Sequence, residues 1–345
     1  MKILIVGGTG YLGPVIADRI LSLLKPEKLD AIDADWFTAA ALAEYKSPFN
    51  KIYKQDKRLI SEDVLKHYDV VVDLAAVSND PMGADFESVT MEINCKAAVN
   101  LAKTAKKAGV KRFIFASSCS VYGAAGDQRR SENAEKNPLT AYAKSKWEAE
   151  VGLEPLANEH FSIIALRFAT ACGWSPTFRA DLVLNDFVAT ALTQKNIVVL
   201  SDGTPWRPLV HVRDIGRAVA WAAQVQQEGF SAYNVGSNIW TLTIRDLASK
   251  VAEILNVPYE ITGQGSTDKR SYCVSFDKFE SVAQGWLPLE QVDSAVAEMR
   301  EQLTLHQEKL HDFRHGSLIR LNMLRAKIKH CELDASLMPV ASIKI

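Results

Sequence analysis

Almost at its start the chain runs from KILIV straight into GGTGYLG and on into YLGPVIADRILSLL, a segment of helical spacing. An unbroken short apolar run reads as a parallel strand buried on both faces. Gly7, Gly10 and Gly13 then let the backbone turn tightly and come up to a pyrophosphate, whose charge rests at the N-terminus of the following helix. A mere tight turn would tolerate the same glycines, but the context is more specific. The turn opens a helix, and Asp33 closes the next strand KLDAID about twenty residues further on, where a carboxylate accepts hydrogen bonds from an adenosine ribose. A dinucleotide is therefore expected. Asp33 and Asp35 have no arginine beside them in the sequence and would repel a 2′-phosphate, which favours NAD over NADP.

The strand–helix alternation continues. KLDAIDAD, DVVVDLAA and KRFIFASS read as further strands, and SVTMEINCKAAVNLAKTAKKAGV as a long helix stopped by Gly109. Such alternation predicts an α/β fold, a doubly wound parallel sheet (Rossmann) with right-handed crossovers. Beyond about residue 165 the pattern is mixed, with more Pro, Trp and loop signals. The expected organisation is a dinucleotide-binding domain over 1–165 with return segments around 208–236, a smaller α/β substrate domain over 166–300, and a helical tail over 301–345. The tail holds RHGSLIRLNMLRAKIKH, basic and amphipathic, read as a helix packed on the body or on a sister subunit rather than on a membrane surface.

A net charge of −1 over 345 residues gives no reason to expect nucleic acid or an anionic membrane as a partner. Cys95, Cys119, Cys172, Cys273 and Cys331 are scattered and without paired ligand spacing, so no metal is expected and a reducing compartment is. Lys2 is followed by only four apolar residues before the glycines, too few for a signal-peptide core, so the cytoplasm is the expected location.

Two further stretches carry chemistry. ASSCSVYG crowds serines and a cysteine at a strand end, and AYAKSKWEAE sets Tyr142 and Lys146 four apart on one helix face. A tyrosine near ~10 needs a shift of ~3 units, about 4 kcal/mol, to act as a base at neutrality. A lysine charge ~4 Å away supplies about that much at an effective dielectric of ~20, provided that Lys146 stays charged.

With GGTGYLG, DLAA, EIN, SSCSVYG, YAKSK, LRFATACG, RPLVHVRD and DKRSY, the chain resembles the extended short-chain dehydrogenase/reductases, the group of UDP-galactose 4-epimerase-like and nucleotide-sugar dehydratase families, over roughly residues 1–295. The resemblance implies Ser118, four residues before Tyr122 of VYG, as the catalytic hydroxyl, with Tyr142 as acid/base and Lys146 as its electrostatic partner and ribose ligand. The implied cofactor set is Gly7, Gly10, Tyr11, Leu12, Gly13, Asp33, Asp56, Leu74, Ala75, Ala76, Asn94, Ser117, Tyr142, Lys146 and Phe168. The implied substrate set is Ser78, Asn79, Ser118, Thr170, Asn185, Arg207 and Arg270; the two arginines would clamp a diphosphate with forked donors. A homodimer is also implied.

Dehydratases of the group carry an Asp-Glu pair after the catalytic hydroxyl, where this chain has Cys119 and Ser120. Relatives that epimerise at carbon 3 and 5 place a cysteine where Ser120 stands. Alternation along an extended strand end would point Cys119 away from the face of Ser118 and Ser120, making it structural. What remains is reversible oxidation at one sugar carbon. The expected activity is thus an NAD-dependent nucleotide-sugar 4-epimerase, with a 4-keto-sugar reductase, and further off a 4,6-dehydratase, as alternatives. A regulatory NAD(P) sensor would usually lose Tyr142 or Lys146, and a dehydrogenase of small alcohols would not need Arg207 and Arg270. Asp73 in place of the usual His, Thr170 in place of Asn and Trp174 in place of Pro set this chain apart from the usual UDP-galactose pattern.

Overall fold

The computed structural model describes residues 1–38, 41–42, 45–124, 126–264 and 271–340. Seven strands form its main sheet: β1 (Lys2–Val6), β2 (Lys28–Asp33), β3 (Lys51–Lys54), β4 (Val70–Asp73), β5 (Arg112–Ser118), β6 (Ser162–Phe168) and β7 (Phe230–Val235). All neighbours are parallel in the order β7-β6-β5-β4-β1-β2-β3. The direction of winding reverses between β1 and β4, and a crevice outside the carboxyl ends of strands at such a reversal is where α/β sheets bind ligands.

The apolar run of β1 is buried on both faces as its composition demands. Ile3 and Ile5 belong to one core, Leu4 and Val6 to the core on the opposite face. Four helices matter to the site: α1 (Gly13–Leu24), α2 (Ala141–Leu153), α3 (Val212–Gln224) and α4 (Arg320–Lys329). α1 and α3 pack together on one face of the sheet, while α2 lies on the other.

A further core gathers Phe178, Leu184, Phe187, Trp240 and Met299 beside a small sheet of Thr170–Cys172, Trp206–His211 and Thr241–Thr243. The tail is docked on the body. Leu324 of α4, with Leu333 and Leu337, packs against Trp36, Val77, Met82 and Ile93. Among the described residues no helix is long and apolar enough to cross a membrane, and no group of three or more His, Cys, Asp or Glu is placed to hold a metal ion.

Three local differences from the sequence expectations stand out. β3 carries the polar, largely exposed KIYK at the sheet edge, where no apolar periodicity marks a strand. The expected single helix after Ser88 contains a wider π turn, Glu92–Lys96. And the serine-rich stretch does not stay extended: β5 ends at Ser118, and Cys119–Tyr122 wind into a 3-10 turn.

Candidate active site

The glycine turn is shaped by contacts that exclude a side chain. Gly7 sits at φ +85°, and a Cβ there would lie 2.6 Å from the Ala75 nitrogen. A Cβ on Gly13 would meet the Gly8 carbonyl oxygen at 2.0 Å, so that glycine seats α1 against the turn. Gly10 differs. A Cβ there would find no protein atom nearer than 3.5 Å, so the glycine keeps open the space above the turn, where a diphosphate fits. At the end of β2, Asp33 accepts the Thr9 N–H at 3.0 Å and the Asp35 N–H at 2.8 Å; burial nevertheless raises its carboxyl above the usual range.

A cleft of about 940 Å³ opens over these ends of the strands. The structure brings into its lining Gly7, Gly10, Tyr11, Leu12, Asp33, Asp56, Leu74, Ala75, Ala76, Ser117, Phe168, Ser78, Asn79, Thr170, Arg207, and Ser118, Tyr142 and Lys146. Ser118 is the last residue of β5. Its hydroxyl oxygen accepts the Ser120 N–H at 3.1 Å, which starts the 3-10 turn. Tyr142 and Lys146 come from the first turns of α2, whose N-terminus is capped by Thr140 through the Ala143 N–H.

The electrostatics bear on the condition that Lys146 stays charged. The Lys146 ammonium donates to the Ala116 carbonyl at 2.6 Å and lies 5.9 Å from the Tyr142 ring centre. Burial first, and then the neighbouring charge of Lys57, lower its pKa to about 7. Burial raises the Tyr142 phenol; a hydrogen bond with Ser118 and the charge of Arg179 act against that rise. Arg179, which the sequence did not single out, is thus a charge that bears on the phenol. Its guanidinium pairs with Asp181 (2.8 and 3.2 Å) and donates to the Ser78 hydroxyl at 3.0 Å, while Asn79 donates to Asp181 at 2.7 Å. Ser78 and Asn79 are therefore tied into this ionic group at the cleft wall.

The unusual Asp73 acquires a reason. Lys57 is buried against it at 2.9 and 2.8 Å and donates its remaining proton to the Ala75 carbonyl at 2.9 Å, which fixes the 74–76 turn over the glycines. Trp174 stacks on Phe178 and on His306, joining the start of the tail to the smaller core.

Other expected residues have different tasks. Asn185 does not reach the cleft. It is buried, accepts the Gly173 N–H at 3.0 Å, and gives both amide hydrogens away, to the Tyr11 hydroxyl at 3.1 Å and the Arg179 carbonyl at 2.9 Å. Asn94 lies in the π turn and bonds Val77 and Ser145, bracing the cleft floor from behind. Gly13 packs rather than lines. Ser117 and Asp56 line the cleft while making protein contacts as well: the Ser117 hydroxyl donates to Glu150, and the Asp56 carboxylate is held by Arg58 at 2.7 and 2.9 Å. Cys119 is buried, with its thiol donating to the Arg167 carbonyl at 3.1 Å and its pKa raised by burial, so it faces away from the cleft as expected. The reason is the 3-10 turn, not strand alternation. Arg270 lies outside the described residues.

Lys57, Arg179, Asp181, Arg314 and Arg320 line the cleft without having been legible in the sequence. None stands in a spaced motif; each becomes part of the site only because distant segments meet.

A glycine turn at the reversal point of a parallel sheet, opening into the cleft that holds Ser118, Tyr142 and Lys146, defines a dinucleotide-dependent enzyme of the α/β class. Comparison with known proteins sharpens that class. The model of the NAD dependent epimerase/dehydratase family matches residues 3–236, and the chain belongs to this family, with NAD as its cofactor. Among similar curated proteins, UDP-glucuronic acid decarboxylase 3 of Arabidopsis thaliana is 27% identical over 340 residues, covering 94% of this chain and 91% of the relative. An uncharacterized UDP-glucose epimerase of Bacillus subtilis is 27% identical over 239 residues, 64% of this chain and 71% of the relative. The fold is shared with the UDP-glucuronic acid 4-epimerase from Bacillus cereus, solved with UDP-glucuronic acid and NAD, at a TM-score of 0.76 and 22% identity over 88% of this chain and 99% of that one.

Proposed function

We propose that the protein is a nucleotide-sugar 4-epimerase acting by transient oxidation at C4. One observation carries the reading: Ser118, Tyr142 and Lys146 line the same cleft as the glycine turn, while the positions after Ser118 offer no carbon acid or base. Ser120 holds a buried hydroxyl without a partner, and Cys119 faces away. Bound NAD supplies a reversible hydride acceptor. Tyr142 removes and later returns the proton of the C4 hydroxyl, Ser118 hydrogen-bonds that oxygen, and Lys146 adds charge when protonated. Arg207 is assigned to the substrate diphosphate, as is Arg270 on the resemblance alone. The relatives named for UDP-sugars support a nucleotide sugar as substrate.

A second reading is favoured by Arg179, a buried cation beside Tyr142, together with relatives named for UDP-glucuronic acid. If the sugar carries a C6 carboxylate, a C4 ketone makes it a β-keto acid. Such an acid loses carbon dioxide without any carbon base, so the residues after Ser118 do not speak against a decarboxylase.

Turnover of UDP-glucose and UDP-glucuronic acid in deuterated water decides between them. A C4 epimer with no deuterium on carbon is the expected product. Carbon dioxide release with deuterium left at C5 establishes the second reading. Deuterium at a sugar carbon without loss of carbon dioxide overturns both. Net consumption of NADH with a 4-keto sugar assigns the protein as a reductase.

A further inference from the structure

Arg320, at the start of α4 in the tail, is only 1% exposed and lines the cleft. Its guanidinium donates to the Thr177 carbonyl at 2.7 Å, leans on the Met323 sulfur at 3.8 Å, and lies 4.6 Å over the ring of Phe37. No described carboxylate pairs with it. Burial, and then the charge of Arg179, lower its pKa to about 9, while Asp181 and Asp33 act against that fall only through space. A buried guanidinium without a counter-ion is costly, and its neutral partners here do not remove that cost. The missing negative charge is one that the cleft receives from outside.

The position indicates which charge that is. The hydroxyl of Thr177, whose carbonyl holds Arg320, donates to the Gly10 carbonyl at 2.9 Å, so a single residue links the guanidinium to the glycine turn in the cleft that both line. A second contact joins the tail to the same half of the cleft: Arg58, which grips Asp56, also donates to the Ser336 carbonyl at 2.8 Å. Arg325 fastens α4 to Asp85 at 2.6 Å.

We propose that Arg320 is a ligand of the bound dinucleotide's diphosphate, and that the tail thereby completes the cofactor site in cis. The glycine turn offers backbone N–H groups and a helix terminus; Arg320 adds a full charge with forked donors. Such an arginine cannot be found from the turn, because it stands almost at the other end of the chain.

The test uses the full-length protein freed of nucleotide, with Arg320→Gln and Arg320→Lys, and calorimetric titration with NAD, ADP-ribose, adenosine and UDP. Arg320→Gln is expected to weaken NAD and ADP-ribose by roughly ten- to a hundredfold, as for one charge-assisted contact, and to leave adenosine and UDP unchanged. Arg320→Lys recovers part of the loss. Thermal unfolding of the nucleotide-free variants is expected at or above the wild-type temperature, because an uncompensated buried charge has gone. NAD affinity within twofold of wild type overturns the proposal. So does weakened UDP with intact NAD, which assigns Arg320 to the substrate, or equal weakening of ADP-ribose and adenosine, which marks a structural role. If Arg320→Gln does not fold, Arg320→Lys carries the same comparison. Binding is measured without turnover, so the outcome is independent of which sugar reaction the enzyme performs.

Discussion

Ser118 and Cys119 are adjacent, yet the structure sends them to opposite environments, one into the cleft and the other into the core beneath Arg167. Ser118→Ala is therefore expected to lower turnover by one or more orders of magnitude, and Cys119→Ala to leave it within a few-fold; kcat measured for both variants gives the ranking. Tyr142→Phe is expected to keep NAD binding and lose about a hundredfold or more in rate, since an acid/base acts mainly in the transition state. Lys146 yields a pH prediction. Its folded pKa of about 7 lies below the unfolded lysine value of 10.5, so folding favours the neutral form. The penalty is complete below about pH 7, shrinks as pH rises towards 10.5, and vanishes above that. Denaturant unfolding of the cofactor-free protein should show Lys146→Met most stabilised relative to wild type at neutral and lower pH, the difference closing in alkaline buffer. Tyr142 and Lys146 were legible as a pair from their spacing on one helix face, and Ser118 from the family resemblance of its stretch. Arg179 and Lys57 were not, because their partners Asp181, Ser78 and Asp73 meet them only through the fold.

Among elements, the most consequential joint is the one that fixes α2 against β5 and β6. Arg167 of β6 holds Glu150 of α2 through three hydrogen bonds of 2.6–3.1 Å, and Glu150 also accepts from Ser117 of β5. Arg167 further donates to the Tyr122 hydroxyl and the Glu132 carbonyl, each at 3.0 Å. The helix that presents Tyr142 and Lys146 is thus anchored one to two turns away by a buried ion pair. Arg167→Met should cost ~3–5 kcal/mol, because it strands a buried carboxylate, and adding Glu150→Leu should restore part of that loss. Chemical unfolding of the two single variants and the double variant measures the coupling. The strands and α1 were readable from unbroken apolar runs and helical spacing. β3, the π turn and the 3-10 turn were not, since each owes its shape to what it packs against rather than to its own residues.

For the whole molecule, the sheet and its glycine turn were readable from the first residues, whereas the docking of the tail was not. A basic amphipathic segment says only that one face is buried, not on what. NAD is expected to stabilise the protein by ~2.7 kcal/mol at a hundredfold excess over its Kd, read as a shift in thermal unfolding. Asp33→Ala should reduce that shift for NAD and enlarge it for NADP, because the carboxylate that disfavours a 2′-phosphate has gone.

The placing of β7 bears on how the chain is made. Every residue of β6 is buried, and its outer edge is covered only by Phe230–Val235, which leave the ribosome after the whole segment between the two strands has been synthesised. Throughout that interval the nascent chain carries an unpaired apolar edge, the kind of surface that recruits other chains. Elongation adds about 5–20 residues per second, so the exposure lasts for seconds rather than milliseconds. Yield in the cell should therefore depend on chaperone supply and translation speed more steeply than the stability of the finished enzyme suggests, and a fragment ending before β7 should partition into the insoluble fraction.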